Sequence, residues 1–396
     1  MASQTQVIDA QFHHPAQALA RTGFTAFWLF SLAHLFIDLY ASALSTFQPV
    51  LGEKYGLNLT QAGILGGLLV FSSSVMQPAY GVLSDRFQTR MFSALAPAMA
   101  GLFISSLGLA PSYGWMIAMV MLSGVGVASF HPQATARATL GLPGNRGRWM
   151  AIFISSGTLG LAIGPTYFST FLTHLGLSRT WWAAIPGVAM TVLLLSGPDS
   201  TPPAHARHKF DLAPLKAVWK PLTVLYFLVV IRSIVQVVYT QFLPLYLHRE
   251  RGFSLTSASL TLTLYLACGA IGGFAGGNLA DRFGGRRVIM ISMAGCVPFI
   301  ALFFLGTGPW SLLGLAISGL MLLFTLPVNV VMAQELAPSQ SGTVSALMMG
   351  FAWGMAGLIF IPLTGWAADH FTLRYSLAAL GLFPVIGFVL SCKLPR

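Results

Sequence analysis

The stretch Gly81-Val82-Leu83-Ser84-Asp85-Arg86-Phe87 has a close copy 196 residues further along, Gly277-Asn278-Leu279-Ala280-Asp281-Arg282-Phe283. Each copy ends a long apolar run, and each is followed three residues later by an arginine, Arg90 in the first case and Arg286 in the second. Because the chain has 396 residues, a spacing of 196 is close to half its length. The sequence therefore predicts two similar halves, each built around the same turn between apolar segments.

The composition excludes a soluble globular domain. Only 8% of the residues are charged and 55% are hydrophobic, whereas soluble domains carry roughly 25% charged residues. The apolar residues fall into blocks of about 20, the length that an α-helix needs to cross the hydrocarbon core of a bilayer. We predict twelve membrane helices, near residues 24–48, 61–83, 91–110, 113–137, 149–173, 180–196, 221–247, 256–280, 287–307, 310–333, 340–367 and 372–393.

The net charge of +11 is distributed unevenly along the chain. If the N-terminus is cytoplasmic, most of the 21 Lys and Arg residues fall at inner helix ends, in the middle linker or at the termini. This asymmetry follows the positive-inside rule, so we expect both termini in the cytoplasm and no nucleic-acid partner. The exceptions are Arg232, inside a predicted helix, and a small outer group, Lys54, Arg179, Arg249, Arg251 and Arg374.

The predicted fold is an all-α membrane protein with twelve transmembrane helices in two pseudo-symmetric six-helix bundles. A Pro-rich, basic linker at 197–220 separates a bundle at 21–196 from a bundle at 221–396. Residues 1–20 are polar and without an apolar core, so we expect a disordered cytoplasmic tail and no cleaved signal peptide. Thr60 and Thr256 stand at equivalent places in the two halves, where each is expected to cap the following helix.

The two Asp-Arg repeats resemble the signature loop of the major facilitator superfamily, and a 6+6 arrangement of helices agrees with that family over nearly the whole chain. Three further segments resemble its fosmidomycin-resistance branch: Ser31–Asp38, Ser129–Pro132 and Ala333–Pro338. Gly160, Gly164 and Pro165 are similar to part of the family's antiporter motif, and as small residues they predict close helix packing. The resemblance implies a proton-driven efflux pump of a bacterial inner membrane that works as a monomer.

Asp38 is the candidate proton site. A carboxylate inside a membrane helix is costly and persists where it faces a cavity or a partner, and His34 lies on the same helical face four residues earlier. His131 precedes Pro132 in the fourth block and joins the candidate group through the branch resemblance. The alternatives are a static polar clamp between helices, a satisfied core histidine, and metal ligation, for which no spacing is specific.

Arg232 is the candidate cation of the central cavity, because the superfamily lines its cavity with helices 1, 4, 7 and 10. Gln236 and Tyr239 share its helical face, and Asn329 stands beside Pro327 in the tenth block. Two roles for Arg232 are open: pairing with Asp38 across the two halves, or holding an anionic group of the substrate.

The candidate gate consists of charged groups at the predicted inner helix ends. Aspartate and arginine of the repeats can form charge-assisted bonds between neighbouring helices in one state and break them in another. Glu335 is a candidate latch in the same region. The alternative is a set of loops that fixes only topology and turns. The gating residues are Asp85, Arg86, Arg90, Asp281, Arg282, Arg286 and Glu335.

These patterns favour a secondary active transporter that exports a small polar or amphipathic compound or drug in exchange for protons, by alternating access. The alternative is a proton-coupled importer or facilitator for an anionic nutrient, which Arg232 motivates. An enzyme is not expected, since no nucleophile elbow or phosphate-binding loop is present. Cys268, Cys296 and Cys392 stand singly, so we expect no metal and no cofactor. The expected partners are the substrate, protons and the lipid bilayer.

Overall fold

The computed structural model describes residues 4–87, 89–140, 142–143, 146–198 and 213–394. Within these ranges the chain is helical, with short turns between the helices. The helices of the first half are α1 Gln4–Ala41, α2 Leu44–Tyr55, α3 Leu59–Val70, α4 Gln77–Phe87, α5 Met91–Ala94, α6 Ala96–Ser105, α7 Tyr113–Arg137, α8 Arg146–Leu175 and α9 Ile185–Ser196.

The second half repeats this pattern after the linker. Its helices are α10 Ala213–Ala217, α11 Trp219–Arg249, α12 Leu255–Phe283, α13 Gly285–Leu305, α14 Gly308–Leu323, α15 Thr325–Leu336, α16 Ser341–Ser345, α17 Ala352–His370, α18 Leu373–Ala379 and α19 Leu382–Ser391. Short 3-10 helices lie at Leu107–Leu109, Leu177–Ala184 and Pro338–Gln340, and π-helical turns lie at Phe71–Val75 and Ala346–Phe351.

The helices confirm the predicted membrane protein. In the described ranges, ten helical segments are long and apolar enough to cross a bilayer, and Met91–Ser105 is a shorter apolar helix. The predicted block at 180–196 consists of a 3-10 helix, Leu177–Ala184, followed by α9. All twelve predicted blocks are therefore helical.

Two sequence predictions about helix starts need correction. The structure begins α1 at Gln4, so residues 4–20 are helical where we expected a disordered tail; the alanines and glutamines of this segment are strong helix formers. The caps of α3 and α12 are Asn58 and Ser254, whose side chains accept from the backbone N–H groups three residues on. Both stand two residues before the predicted threonines, because each helix starts one residue before its threonine. Residues 199–212 of the predicted linker lie outside the described ranges.

Glycines set the packing of α8 against α1. A Cβ atom built on Gly160 would lie 2.8 Å from the backbone carbon of Leu35, and one on Gly164 would lie 2.6 Å from the carbonyl oxygen of Leu39. The carbonyl of Pro165 accepts a hydrogen bond from the hydroxyl of Thr46 at 3.3 Å. Only glycine permits this closeness of two backbones, so α8 is held directly against the helix that carries Asp38.

The two halves meet along three helix pairs, α3 with α17, α8 with α12 and α2 with α11. A π-helical turn stands on each side of the α3–α17 contact, after α3 at Phe71–Val75 and before α17 at Ala346–Phe351. A Cβ atom on Gly354 would lie 2.6 Å from a methyl carbon of Val75, so the backbones are close at this level. Beyond it, α4 packs within its own half. The interface is therefore tightest toward the end that carries the loops at 55–60 and 249–256, which is the predicted outer end.

Candidate functional site

An acid and two histidines form one cluster inside the first half. His34 and Asp38 lie one turn apart on α1, and His131 reaches them from α7. The Nε2 atom of His34 is 3.4 Å from Oδ2 of Asp38, and the Nε2 atom of His131 is 3.3 Å from Oδ1. Each carboxylate oxygen therefore faces one imidazole. The exposed fractions of the His34, Asp38 and His131 side chains are 7%, 20% and 24%, so water reaches the acid and one of the histidines.

The hydrogen bonds of the cluster fix the tautomers of both imidazoles. Nδ1 of His34 is 2.9 Å from the carbonyl oxygen of Phe153, and Nδ1 of His131 is 2.8 Å from that of Val127. A carbonyl oxygen only accepts, so each Nδ1 atom must carry the hydrogen and donate it. When either imidazole is neutral, its Nε2 atom consequently presents a lone pair to Asp38.

The tautomers determine how many protons the cluster can hold. Each of the two Nε2···O contacts joins two acceptors unless a proton lies between them. One proton satisfies one contact and leaves the cluster neutral, whereas two protons satisfy both and leave a charge of +1. With no proton, an ionised carboxylate faces two lone pairs, an unfavourable arrangement in a medium of low dielectric constant. The geometry therefore gives the cluster a capacity of two protons.

The helix α8 shapes the cluster from the third side. The ring of Phe153 stacks on that of His34 with centroids 4.4 Å apart. Gly157 stands where a side chain would collide, since its Cβ atom would lie 2.5 Å from Oδ2 of Asp38. The hydrogen bond from His34 to the Phe153 carbonyl joins α1 to α8. A movement of the His34 ring would therefore act directly on the backbone of α8.

The cluster is also the place where a metal ion would fit. Metal ions in proteins are bound by His, Cys, Asp and Glu side chains. In the part of the chain that the structure describes, His34, Asp38 and His131 form the set of three whose ligand atoms all lie within 4.8 Å of one another. Both histidines donate their second nitrogen to a backbone carbonyl, as metal-binding histidines commonly do. A divalent transition-metal ion would therefore compete with protons for these atoms.

The expected ion pair between Asp38 and Arg232 is not formed in this structure. Arg232 is 4% exposed on α11; its Nη1 atom donates to Oε1 of Gln236 at 2.7 Å, and its Nη2 atom donates to Oγ of Ser233 at 3.1 Å. Among the described residues, no carboxylate oxygen lies within 4.0 Å of its side-chain nitrogens. Asp38 instead contacts His34, as the helical spacing predicted, and His131, which the family resemblance had grouped with it.

The other predicted cavity residues divide into two groups. Gln236 contacts Arg232 directly, and Asn329 is buried on α15 with both atoms of its amide group lacking a hydrogen-bond partner. Tyr239, in contrast, donates its hydroxyl to the carbonyl of Leu377 at 3.3 Å, and its ring packs near those of Tyr265 and Phe304. The side-chain oxygen of Tyr239 is therefore already bonded within the second half in this structure.

The predicted gating groups make no charge-assisted bond between the halves in the described residues. Arg90 donates to the carbonyl of Gly197, and Arg286 donates to that of Cys392, each within its own half. Four of these groups, Arg86, Asp281, Arg282 and Glu335, are exposed, and the side chain of Asp85 lies outside the described part of the chain. The proposed role of these residues as a gate therefore concerns a state other than this one.

The opposite end of the molecule carries a bond between the halves that the sequence analysis missed. Asp369, at the end of α17, accepts from the backbone N–H groups of Leu59 and Thr60 at 2.8 Å each and from the Thr60 hydroxyl at 2.6 Å. A carboxylate at a helix N-terminus is stabilised by the helix dipole and by these free donors. We call this contact the outer latch.

Further contacts between the halves lie at the same end. Glu53 and His248 approach to 3.7 Å, and hydroxyl pairs join α8 to α12 at Thr166–Thr263 and Thr173–Thr256. Together with the outer latch, these bonds close the structure at its predicted outer end. The sequence signal for the outer latch was weak: an acidic residue at the end of an apolar block.

Comparison with known proteins decides the family. The family model for the Major Facilitator Superfamily matches residues 30–360 and 225–396. The chain belongs to the major facilitator superfamily. It is similar to the fosmidomycin resistance protein of Escherichia coli strain K12, with 27% identity over 379 residues that cover 93% of each chain. It is also similar to the uncharacterized MFS-type transporter YfnC of Bacillus subtilis strain 168, with 30% identity over 381 residues, 93% of this chain and 92% of that protein.

A solved transporter structure has the same fold. The bacterial homolog of the human lysosomal transporter Spinster, in its inward-facing and occupied conformation, aligns with a TM-score of 0.81 at 16% identity, over 93% of this chain and 96% of the other. These findings confirm the resemblance deduced from the Asp-Arg repeats. The chain is a multi-pass membrane transporter and not an enzyme.

Proposed function

We propose that this transporter exchanges protons for a small polar or amphipathic compound and exports that compound from the cell. The observation that carries the proposal is Asp38 held between His34 and His131, with each carboxylate oxygen facing a lone pair that requires a proton. The name of the Escherichia coli relative, a fosmidomycin resistance protein, supports export of a drug-like compound.

The position of the cluster supports a coupling role. It lies in the first half, but His34 donates to a carbonyl of α8, and α8 forms part of the interface with the second half. Loss of the protons would place two lone pairs against an ionised carboxylate and drive these groups apart. Because α8 is bonded to His34, such a movement would be transmitted to the α8–α12 contact and shift the equilibrium between open states.

In the proposed cycle, the two halves rock about a site near the bilayer midplane. The predicted outer end is closed by the outer latch and by the α8–α12 hydroxyl pairs, which supports assigning this structure to the inward-open state of the cycle. In the outward-open state, the latch would be released and the Asp-Arg repeats would bond at the inner end. Protons would enter the cluster from the outer side and leave to the cytoplasm.

The test is proton-driven transport into inverted membrane vesicles, with the Asp38→Asn variant compared with the wild type. Asparagine keeps the shape but cannot exchange a proton, so we expect loss of pH-gradient-driven uptake while substrate exchange without a gradient persists. The matched control is Asp211→Asn in the predicted linker, which should behave as the wild type. Full gradient-driven uptake by Asp38→Asn would contradict the proposal.

A second candidate function is a proton-coupled importer or facilitator for an anionic nutrient. The buried Arg232, without a carboxylate partner among the described residues, favours this candidate. Imposing a proton gradient on proteoliposomes and recording the direction of flux separates the two functions. The compounds to test first come from a growth-inhibition panel, including phosphonate antibiotics, on cells with and without the protein.

A further inference from the structure

The side chain of Arg232 is a buried cation with incomplete bonding. Its two terminal nitrogens bond to neutral oxygens of Gln236 and Ser233, and its Nε atom is buried without a hydrogen-bond partner. A guanidinium has five N–H donors and remains charged in proteins. Neutral partners satisfy part of its hydrogen-bonding capacity but leave its charge uncompensated in a medium of low dielectric constant. The site therefore lacks an anion.

Among the described residues, no acidic side chain stands within 4.0 Å of the Arg232 nitrogens to supply that charge. Of the ten acidic residues, Asp38 is the one that falls in the middle of a predicted membrane helix; the others fall at helix ends or in the terminal and linker segments. Both oxygens of Asp38 already face imidazoles. None of the acids that the structure describes compensates Arg232, so we look to a bound ligand for the anion.

The surroundings of Arg232 fit a ligand that carries an acid group on a flat or apolar body. The indole ring of Trp353, on α17, lies 5.7 Å from the guanidinium carbon. Two more buried polar groups without partners stand on helices that pack against α11: the hydroxyl of Tyr265 on α12 and the amide of Asn329 on α15. Buried polar groups without partners are rare in folded proteins and call for a ligand or an ordered water.

We propose that Arg232 binds an oxyanion of the transported compound, a carboxylate, sulfonate or phosphonate, with Gln236 orienting the guanidinium and Trp353 packing on the body of the ligand. Arginine is suited to this task, because its planar N–H donors match two oxygens of one acid group. The inference deepens the proposed function by naming the chemical class of substrate, and it holds for either direction of transport.

The experiment measures binding to the full-length protein in phosphatidylcholine nanodiscs by calorimetry. The probes share one ring and differ only in the acid group: benzoate, benzenesulfonate and phenylphosphonate, with benzamide as the neutral comparison. We expect at least one of the three anions to bind at least tenfold more tightly than benzamide. If benzamide binds as tightly as the best anion, or if none of the anions binds, the proposal fails.

Variants locate the binding on Arg232. In Arg232→Gln the preference for the anion should fall at least tenfold, equal to about 1.4 kcal/mol, and Arg232→Lys should retain part of it because lysine keeps the charge without the planar donors. Arg179→Gln, an exposed arginine at the predicted outer end, is the matched control and should bind as the wild type. An unchanged anion preference in Arg232→Gln would overturn the assignment. The comparison of anions with benzamide on the wild type tests the proposal even if Arg232→Gln does not fold.

Two further measurements distinguish a substrate anion from a lipid phosphate, and the Arg232 site from the proton site. In nanodiscs that contain phosphatidylglycerol, loss of anion binding would show that a lipid phosphate occupies the site, and the substrate assignment would fail. Asp38→Asn should still bind the best anion more tightly than benzamide, whatever its absolute affinity. The wild type could bind anions while proton-driven transport survives in Asp38→Asn. That result would refute the proposed proton site and leave the Arg232 site in place.

Discussion

Removing the charge of Asp369 should shift the transporter toward its outward-open state. The outer latch consists of three hydrogen bonds from α3 to one carboxylate, with donor–acceptor distances of 2.6–2.8 Å. Asp369→Asn keeps one acceptor oxygen, loses the charge, and places an NH₂ group against backbone N–H donors. Because these bonds exist only when the halves are closed at this end, the substitution destabilises the closed state selectively.

The expected magnitude follows from the number and exposure of the bonds. Hydrogen bonds contribute about 0.5–1.5 kcal/mol each, and the lower part of this range applies because Asp369 is exposed and screened by solvent. Three such bonds, of which the amide preserves one in weakened form, give a loss of about 1–2 kcal/mol. That corresponds to about a 5- to 30-fold change in the ratio of closed to open molecules.

Glu250 provides a matched control. Its carboxylate accepts from the backbone N–H groups of Leu373 and Arg374 at 2.7 and 3.0 Å, so it caps α18 in the same way as Asp369 caps α3. Both α11, which Glu250 follows, and α18 belong to the second half. Glu250→Gln should therefore lower the thermal stability without changing the balance between the two open states.

The assay is a distance measurement between spin labels on the two halves. Two exposed positions near the predicted outer end are suitable. His174 lies one residue before the end of α8, and Thr307 lies directly before α14. With the labels placed there in a background whose three cysteines are replaced by serine, Asp369→Asn should increase the population with long distances, and Glu250→Gln should not. If both variants give the wild-type distance distribution, or both change it equally, the outer latch does not control the conformational equilibrium.

Two further substitutions test the contacts that connect the cluster with the interface. Gly157→Ala places a methyl group against Asp38 and His34. This overpacking should lower the free energy of unfolding by about 1–3 kcal/mol in a thermal-unfolding assay and reduce transport. The control Gly342→Ala, with no neighbour within 4 Å of its Cβ atom, should change neither stability nor transport. Thr263→Val removes the hydroxyl partner of Thr166, which should weaken the closed outer end by about 0.6 kcal/mol, or about threefold in the same distance measurement.

The fold could be predicted because a bilayer imposes a length on every spanning segment, and the apolar runs of this chain show that length directly. The repeat at Asp85 and Asp281 then fixed where the two halves correspond. Helix starts were predicted less well: Asn58 and Ser254 are the caps in place of the threonines, since several residues near each start can accept the same bonds. Local sequence identifies a helix end but does not choose among adjacent polar side chains.

The proton cluster was predictable in part. His34 and Asp38 are one helical turn apart, so their contact follows from the periodicity of an α-helix. His131 came from the family resemblance. The tautomers depend on the carbonyls of Phe153 and Val127, and nothing in the sequence indicates that the first of these, 119 residues away, faces His34.

Contacts between the halves were beyond the sequence reasoning. The depth of Arg232 in the membrane could be counted along its helix, but the count gives neither its lateral distance from Asp38 nor the partner that Asp38 prefers. Asp369 and Thr60 are 309 residues apart and meet only through the packing of α3 on α17. Such contacts belong to one conformational state, whereas the sequence encodes all states of the cycle.

The division of charge between the halves bears on the direction of transport. Protons make the cluster around Asp38 more positive, and an oxyanion at Arg232 is negative, so the two ligands attract each other across the bundle. Electrostatics alone would then favour simultaneous occupancy, as in an importer that carries both ligands together. An exporter must overcome this attraction through conformation: protonation has to favour the state in which Arg232 no longer holds its ligand.

Asp38→Asn removes the negative charge without adding protons. If charge dominates, the variant should bind anions more tightly than the wild type; if the conformational link through His34 and α8 dominates, it should bind them more weakly. The sign of that change therefore discriminates between the two candidate functions.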